Sequence, residues 1–402
     1  MQRADGPSRG FATRAIHAGE QPDPITRAHT TPIYQTATFS FDTAEEKAAA
    51  MEQALAWQGG FFYSRTGNPT TAALEAKLAD LEGAEDAVVG ASGMAAVASA
   101  LLAHLDAGDH LVTSNDIFVI SRVLLEDDFP RRGIEVTGVD ITDLGDVRAA
   151  IRPTTRVLFA ETLSNPHMKV ADIEALAVIA HEAGILLVVD NTFLTPYLLQ
   201  PLGLGADLVI HSATKYIAGH GDALAGAVAG PKAHIDRVRA MLDVLGSCIS
   251  PFNAWLVMRG VRTLPMRMDA HSRNAAALAG SLAANPLVTE VRYPGLASHP
   301  DHAVARRLVG DPAGGRYGGM MAVRLRGGQA TMNAFANALE VCELAVSLGD
   351  VYTLVYPMPK RDNLIRVSVG CEDIDDIVAD FAQALDRAAR VDGQRGAARP
   401  RG

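Results

Sequence analysis

Two residues of this chain have types and surroundings that suit one kind of cofactor chemistry. Lys215 stands in Ser212-Ala213-Thr214-Lys215-Tyr216, directly after an apolar run from Ala206 to Ile210. Asp190 closes another apolar run, Leu186-Leu187-Val188-Val189. A lysine amine at a strand end can bond covalently to the aldehyde of pyridoxal phosphate, and an aspartate at another can hold the pyridine nitrogen protonated, so that the ring acts as an electron sink. A single lysine after a strand is more often a solvated strand end; the pairing is what gives it meaning. Ser92-Gly93-Met94 adds a third part, because it opens the helical stretch MAAVASALLAHL. Backbone N–H groups at a helix start, beside a small residue that permits close approach, suit the cofactor phosphate. Ser212 and Thr214, two apart near a strand end, point the same way and offer hydroxyls to that phosphate.

The elements that must position these residues follow from periodicity. Between residues 86 and 230, apolar runs begin near Asp86, His110, Glu135, Arg156, Ile185 and Ala206, separated by helical patterns. Their spacing, roughly 20–30 residues, is that of a repeated βα unit. Continuous rather than alternating apolarity marks strands covered on both faces, so the reading is an α/β fold with a mostly parallel central sheet and helices on both sides. Ligands of such sheets bind beyond the carboxyl ends of the strands, where Ser92, Asp190 and the Ser212–Lys215 stretch all fall. Asn68-Pro69 is a cap and first-turn proline for a helix stopped by Gly83, and Asp172 opens another that ends at Gly184. Near the C-terminus Ile374, Ile377, Val378, Phe381 and Leu385 form a helical stripe that packs on its own domain.

At 402 residues the chain exceeds one average core. The expected organisation is an N-terminal extension over 1–67, a large cofactor domain over 68–260, a smaller C-terminal α/β domain over 261–391, and a polar, glycine- and arginine-rich disordered tail over 392–402. A net charge of −10 without a basic stripe excludes nucleic acid as a partner. Cys248, Cys342 and Cys371 are odd in number and far apart, which suits a reducing cytoplasm better than a disulfide framework. The first ten residues lack the apolar core of a signal peptide, and no run of about 20 apolar residues could span a membrane. The histidines of Ser298-His299-Pro300-Asp301-His302 lack the acidic or cysteine company of a metal site, so no metal is expected. Neither a G-x-G-x-x-G after a strand nor a P-loop lysine is present, which disfavours nucleotide cofactors.

The order of longer segments makes the reading specific. TRAIHAGEQPDP (13–24), TPIYQTATF (31–39), YSRTGNPT (63–70), LEGAEDAVVGASGM (81–94), SNP (164–166), DNT (190–192), GADLVIHSATKYIAGHGD (205–222), SPFNAWLVMRGVRTL (250–264), HSRNA (271–275) and IRVSVGCEDIDDI (365–377) run through nearly the whole chain. In these segments the chain resembles the Cys/Met metabolism family of pyridoxal phosphate enzymes, which includes methionine γ-lyases, cystathionine γ-synthases and γ-lyases, and O-acylhomoserine sulfhydrylases.

The resemblance implies the pyridoxal-phosphate-dependent transferase fold (fold type I) and a role for each matched residue. Lys215 carries the cofactor and moves protons; Asp190 pairs with the pyridine nitrogen and Asn165 meets the ring hydroxyl. Ser92, Gly93, Met94, Ser212 and Thr214 hold the phosphate. Tyr63 and Arg65 reach into a neighbouring subunit's site, which implies a homo-oligomer, a dimer of dimers. Tyr63 and Phe118 stand near the chemistry with Lys215, and Arg366 grips the substrate carboxylate bidentately with Ser347 beside it. Three departures bear on substrate. Phe118-Val119-Ile120 replaces a tyrosine-led run, and a phenylalanine stacks on the cofactor but donates nothing. Val346 stands where cystathionine-handling members carry a glutamate. Only residues 358–363 remain of a longer family segment beside the pocket. The expected activity is γ-elimination on a methionine- or homocysteine-like amino acid, giving a 2-oxo acid and ammonia. The alternatives are γ-replacement on an O-acylhomoserine by a thiol or sulfide, or a fold relative that no longer catalyses. The last predicts a lost lysine, aspartate or arginine, and all three are present.

Overall fold

The computed structural model describes residues 9–310 and 315–397. In it the apolar runs become β1 (Asp86–Gly90), β2 (His110–Ser114), β3 (Glu135–Val139), β4 (Thr155–Glu161), β5 (Leu186–Asp190) and β6 (Leu208–His211). A further strand, β7 (Gly226–Gly230), completes a seven-stranded sheet of order β1-β7-β6-β5-β4-β2-β3. The β6-β5-β4-β2-β3 portion is parallel, and β7 pairs antiparallel with both β1 and β6. Its sequence, Gly-Ala-Val-Ala-Gly, carries little strand propensity, yet it is buried throughout. Burial between two packed neighbours outweighs propensity there.

Helices cover both faces of the sheet. Gly93–Leu102 and Lys232–Leu245 supply Val97, Leu101, Ile235, Val238 and Leu242 to one side, against Val88, Leu111, Phe159 and Ile210. Pro69–Glu82 and Pro251–Val261 supply Leu74, Leu78, Val257 and Met258 to the other. Asn68 caps Pro69–Glu82 by accepting from the Thr70 N–H, and Gly83 ends it at φ +71°. The helix Leu264–Ala283 then leads to a second sheet formed by β8 (Val288–Arg292), β9 (Met320–Leu325), β10 (Glu343–Leu344), β11 (Leu354–Met358) and β12 (Leu364–Ser368), of order β10-β11-β12-β9-β8. Leu264, Met268, Ala275, Leu278 and Leu282 of that helix join one continuous core with residues of both sheets.

Two stretches are fixed by contacts that the sequence reading does not include. Residues 15–20 of the N-terminal extension are held on their own chain. Lys77, fully buried, donates to the Ala15 and Ile16 carbonyls at 2.8 and 3.1 Å and pairs with Glu20 at 3.0 Å, while Glu20 also pairs with Arg262. At the other end, the last helix runs from Ile374 to Ala397 and so continues through residues 392–397, which the composition assigns to a disordered tail. Asp392 is held by Arg326 at 2.9 Å, a tertiary ion pair that local composition does not register. Residues 398–402 of that tail lie outside the described residues.

Lys77→Met leaves two carbonyls unpaired and Glu20 with Arg262 alone. Losing one partner of a buried pair is expected to cost about 3 kcal/mol. A lower urea midpoint and earlier proteolysis near residues 9–31 are the measurable results; an unchanged midpoint would refute the anchoring role.

Candidate active site

The carboxyl ends of β4, β5 and β6 open into a cavity of about 800 Å³ lined by Ser92, Gly93, Met94, Phe118, Asn165, Asp190, Ser212, Thr214, Lys215, Ser347 and Arg366, among others. Eleven of the residues singled out from the sequence are thus brought together. Tyr63 and Arg65 are not among them. They line separate clefts on the outer surface, where Arg65 pairs with Asp243 at 2.6 Å. Tyr63 is 42% exposed in the single chain.

Lys215 follows β6 in the loop to β7. Its Nζ donates to Ser347 Oγ at 2.7 Å. Burial and the charge of Arg366 lower its pKa to about 8, well below an ordinary lysine. Ser347 is held at φ +82°, a left-handed conformation that costs a non-glycine residue roughly 1 kcal/mol. The turn that imposes it is fixed at Gly349, where a Cβ would lie 2.5 Å from the Tyr216 nitrogen. Ser347 also accepts from Arg366 Nη2 through its carbonyl at 2.7 Å, and Arg366 Nη1 reaches Asn165 Oδ1 at 3.2 Å. The short strand Ile365-Arg366-Val367-Ser368 therefore places a guanidinium, only 6% exposed, inside the cavity rather than on the surface.

At the cavity floor Asp190 Oδ1 accepts from the Thr192 N–H at 2.9 Å and from its hydroxyl at 2.5 Å. Among the described residues Oδ2 has no protein donor, so a protonated ring nitrogen has an acceptor waiting. The sequence reading missed the carboxylate next to it. Glu161 ends β4 in register with Asp190 and accepts from the Phe118 N–H at 2.7 Å and the Asn165 N–H at 3.2 Å. It therefore fixes two residues expected to touch the cofactor. Burial, with Asp190 alongside, pushes the Glu161 carboxyl well above the usual range; burial also raises Asp190, against the bonds from Thr192. The available signal was a charged residue ending the continuous apolar run of Val157–Ala160.

The end of the cavity expected to take the phosphate is built around Gly93, where a Cβ would lie 2.6 Å from Ser212 Cβ, so only glycine permits this approach of helix start and strand end. Ser92 Oγ accepts from the Ala95 N–H and so caps the helix. The Thr214 hydroxyl donates to the Ala225 carbonyl at 3.1 Å and accepts from the Ala225 N–H at 2.9 Å, an arrangement that competes with a phosphate contact. Ser212 receives no such side-chain bond. A lowered lysine, a buried acid with a spare oxygen and a glycine-lined helix start within one cavity fit pyridoxal phosphate.

A fold of this kind with this donor set defines a pyridoxal-phosphate-dependent enzyme. The chain belongs to the Cys/Met metabolism PLP-dependent enzyme family, whose model matches residues 12–386. It is 45% identical over 398 residues to the L-methionine gamma-lyase of Pseudomonas putida, covering 94% of this chain and 98% of that protein. It is 43% identical over 390 residues to a cystathionine gamma-synthase of Mycobacterium tuberculosis, covering 94% and 97%. The crystal structure of metB from Corynebacterium glutamicum superposes with a TM-score of 0.88 at 39% identity, over 94% of this chain and 98% of that one. No helix among the described residues is long and apolar enough to cross a membrane.

Only the neutral amine of Lys215 attacks an aldehyde. Cofactor capture by apoprotein, followed by absorbance in stopped flow, is therefore expected to rise with pH through a midpoint near 8. Arg366→Gln removes a charge that favours the neutral amine and should move the midpoint upward. A midpoint that stays in place would show that Arg366 does not set the lysine's state.

Proposed function

We propose that the chain carries out γ-elimination on a γ-substituted L-amino acid of the methionine or homocysteine kind, releasing a thiol, a 2-oxo acid and ammonia. The observation that carries this reading is the lining of the cavity. Val346, Leu348, Leu224 and Met358 contribute apolar surface to it, Lys360 and Arg361 are its further charged residues beside Lys215 and Arg366, and the only carboxylates among the described lining residues are Asp190 and Glu161. A distal ammonium group, as in cystathionine, would find no acid there; a methyl thioether finds an apolar surface. Similarity to the methionine gamma-lyase supports the same reading. Similarity to the cystathionine gamma-synthase favours the second one, γ-replacement on an O-acylhomoserine by a thiol or sulfide.

Bound pyridoxal phosphate supplies the electron sink that stabilises charge at the substrate's α and β carbons. The protein's residues do the rest. Arg366 holds the α-carboxylate, and its bonds to Asn165 and the Ser347 carbonyl fix the fork. Lys215, which gives up its proton far more readily than an ordinary lysine, takes a proton first from Cα and then from Cβ, with Ser347 Oγ holding the amine in place. Asp190 keeps a positive partner at the ring nitrogen, and Phe118 packs beside the ring. Ser92, Gly93, Met94 and Ser212 receive the phosphate, with Thr214 once its hydroxyl turns. Tyr63 and Arg65 complete this end from a second copy of the chain, in a dimer of dimers. Their position outside their own subunit's cavity supports that assignment. A cytoplasmic setting agrees with the three free cysteines.

Methionine, homocysteine, O-acetylhomoserine, O-succinylhomoserine and cystathionine, each with and without sulfide or cysteine, test the reaction class. 2-Oxobutanoate and ammonia from methionine are the expected products. Thioether formation without appreciable keto acid would overturn the elimination reading in favour of replacement.

The shared site predicts complementation. Arg65→Ala and Lys215→Ala chains, each inactive alone, should regain part of the activity when unfolded, mixed and refolded together, because some mixed sites hold both intact residues. A fully active monomer by light scattering contradicts it.

A further inference from the structure

Elimination of a thiol leaves a question that the residues assigned so far do not answer. As the Cγ–S bond breaks, its electron pair departs on sulfur, and a proton must meet it. Phe118, at the cavity wall, has no proton to give. The Thr192 and Thr214 hydroxyls donate their protons to Asp190 and the Ala225 carbonyl. Glu161 is held on the floor by two backbone N–H groups, and the Ser92 and Ser347 hydroxyls, which accept from the Ala95 N–H and from Lys215, are aliphatic alcohols too weakly acidic to match a thiolate. Ser212 lies at the glycine cradle, away from the substrate carboxylate clamp.

Tyr356 remains. It sits in β11 directly opposite Arg366 of β12, in an antiparallel pair. Side chains directly opposite one another project from the same face of a sheet. Tyr356 accordingly lines the same cavity, with the Arg366 guanidinium 5.2 Å from its ring centroid. Arg366 and Lys215 meet at Ser347, so the phenol stands one residue away from the amine that moves the substrate's protons. Among the described residues its hydroxyl has no hydrogen-bond partner. The hairpin is tight, turning through Asp362 and Asn363 at φ +52° and +53°, and β12 is buried along its length. Tyr352, the other tyrosine of this region, is 53% exposed and lies outside the cavity lining.

We propose that Tyr356 is the proton donor to the departing sulfur. The assignment rests on the γ-elimination reading above. Lys215 removes the Cβ proton, the freed pair forms the Cβ–Cγ double bond, and the Cγ–S pair leaves with sulfur. The phenol proton passes to that sulfur and yields the neutral thiol. The phenolate that remains faces the Arg366 guanidinium until water returns a proton to it. Phenols and alkanethiols are acids of similar strength, so a phenol is a suitable donor to a departing thiolate.

The test uses the holoenzyme and Tyr356→Phe, which keeps the ring over Arg366 and removes only the hydroxyl. Keto-acid release is measured with methionine, which expels a thiolate, and with O-acetylhomoserine, which expels a carboxylate that needs no proton. L-Norleucine, which has a methylene in place of sulfur and nothing to expel, reports the integrity of the site through its effect on the cofactor spectrum. The expected result is a fall in kcat on methionine of about 10²-fold or more, a much smaller fall on O-acetylhomoserine, and unchanged norleucine affinity. Equal rates for wild type and variant overturn the assignment. So does a parallel loss on both substrates with weakened norleucine binding, which would make Tyr356 a support for Arg366 only. Wild-type enzyme inert toward both substrates overturns the elimination reading itself, and this assignment with it.

Discussion

The hydrogen bonds at Ser347 join the two halves of the molecule at the point where chemistry takes place. The hydroxyl of Ser347 accepts from Lys215 of the large sheet, and its carbonyl accepts from Arg366 of the small one. The cost is a serine in a left-handed conformation, held by the Gly349 turn against Tyr216. With a partly buried amine and a buried guanidinium on the same residue, the amine gives up its charge the more readily, since a guanidinium has no neutral form accessible near pH 7. The positions of the Lys215 amine and the Arg366 guanidinium are thus set by one turn.

The floor of the cavity works on the opposite sign. Asp190 and Glu161 end adjacent parallel strands side by side, and two such buried carboxylates resist ionising together. Glu161 spends its oxygens on the backbone of the Phe118 and Asn165 loops, whereas Asp190 keeps one free toward the cavity. A cationic ring nitrogen at Asp190 relieves the tension on the pair. Burial is therefore not only shelter from water here: it prepares a floor that favours a positively charged partner and holds the loops around it.

The smaller sheet supplies part of the cavity lining. The β11–β12 hairpin presents Tyr356 and Arg366 on one face, with Met358 and Val346 in the same cavity lining. An apolar wall without an acid suits a compact thioether. A short turn joins β11 to β12, so the positions of the side chains that this hairpin contributes to the cavity are fixed by strand register.

Much of this was legible in the order of residues. Continuous apolar runs determined the buried parallel strands, because a strand covered on both faces has no polar side to show. Asn68, Asp172 and Gly83 determined helix ends through local bonds and backbone geometry that need no distant partner. Lys215, Asp190 and the Gly93 turn were visible because strand ends of an α/β sheet converge by rule. The tertiary structure decided what depends on residues far apart in the chain. Strand β7, poor in propensity, is made by its two neighbours. Glu161 acquires meaning only beside Asp190, and Tyr356 only opposite Arg366. The helix through 392–397 persists beside the Arg326–Asp392 pair, and the N-terminal segment is anchored by Lys77 burying its charge against Glu20. Local propensity and periodicity are written within a few residues of chain, whereas a pKa, a cross-strand contact or a buried ion pair exists only once the chain has brought its partners within a few ångströms.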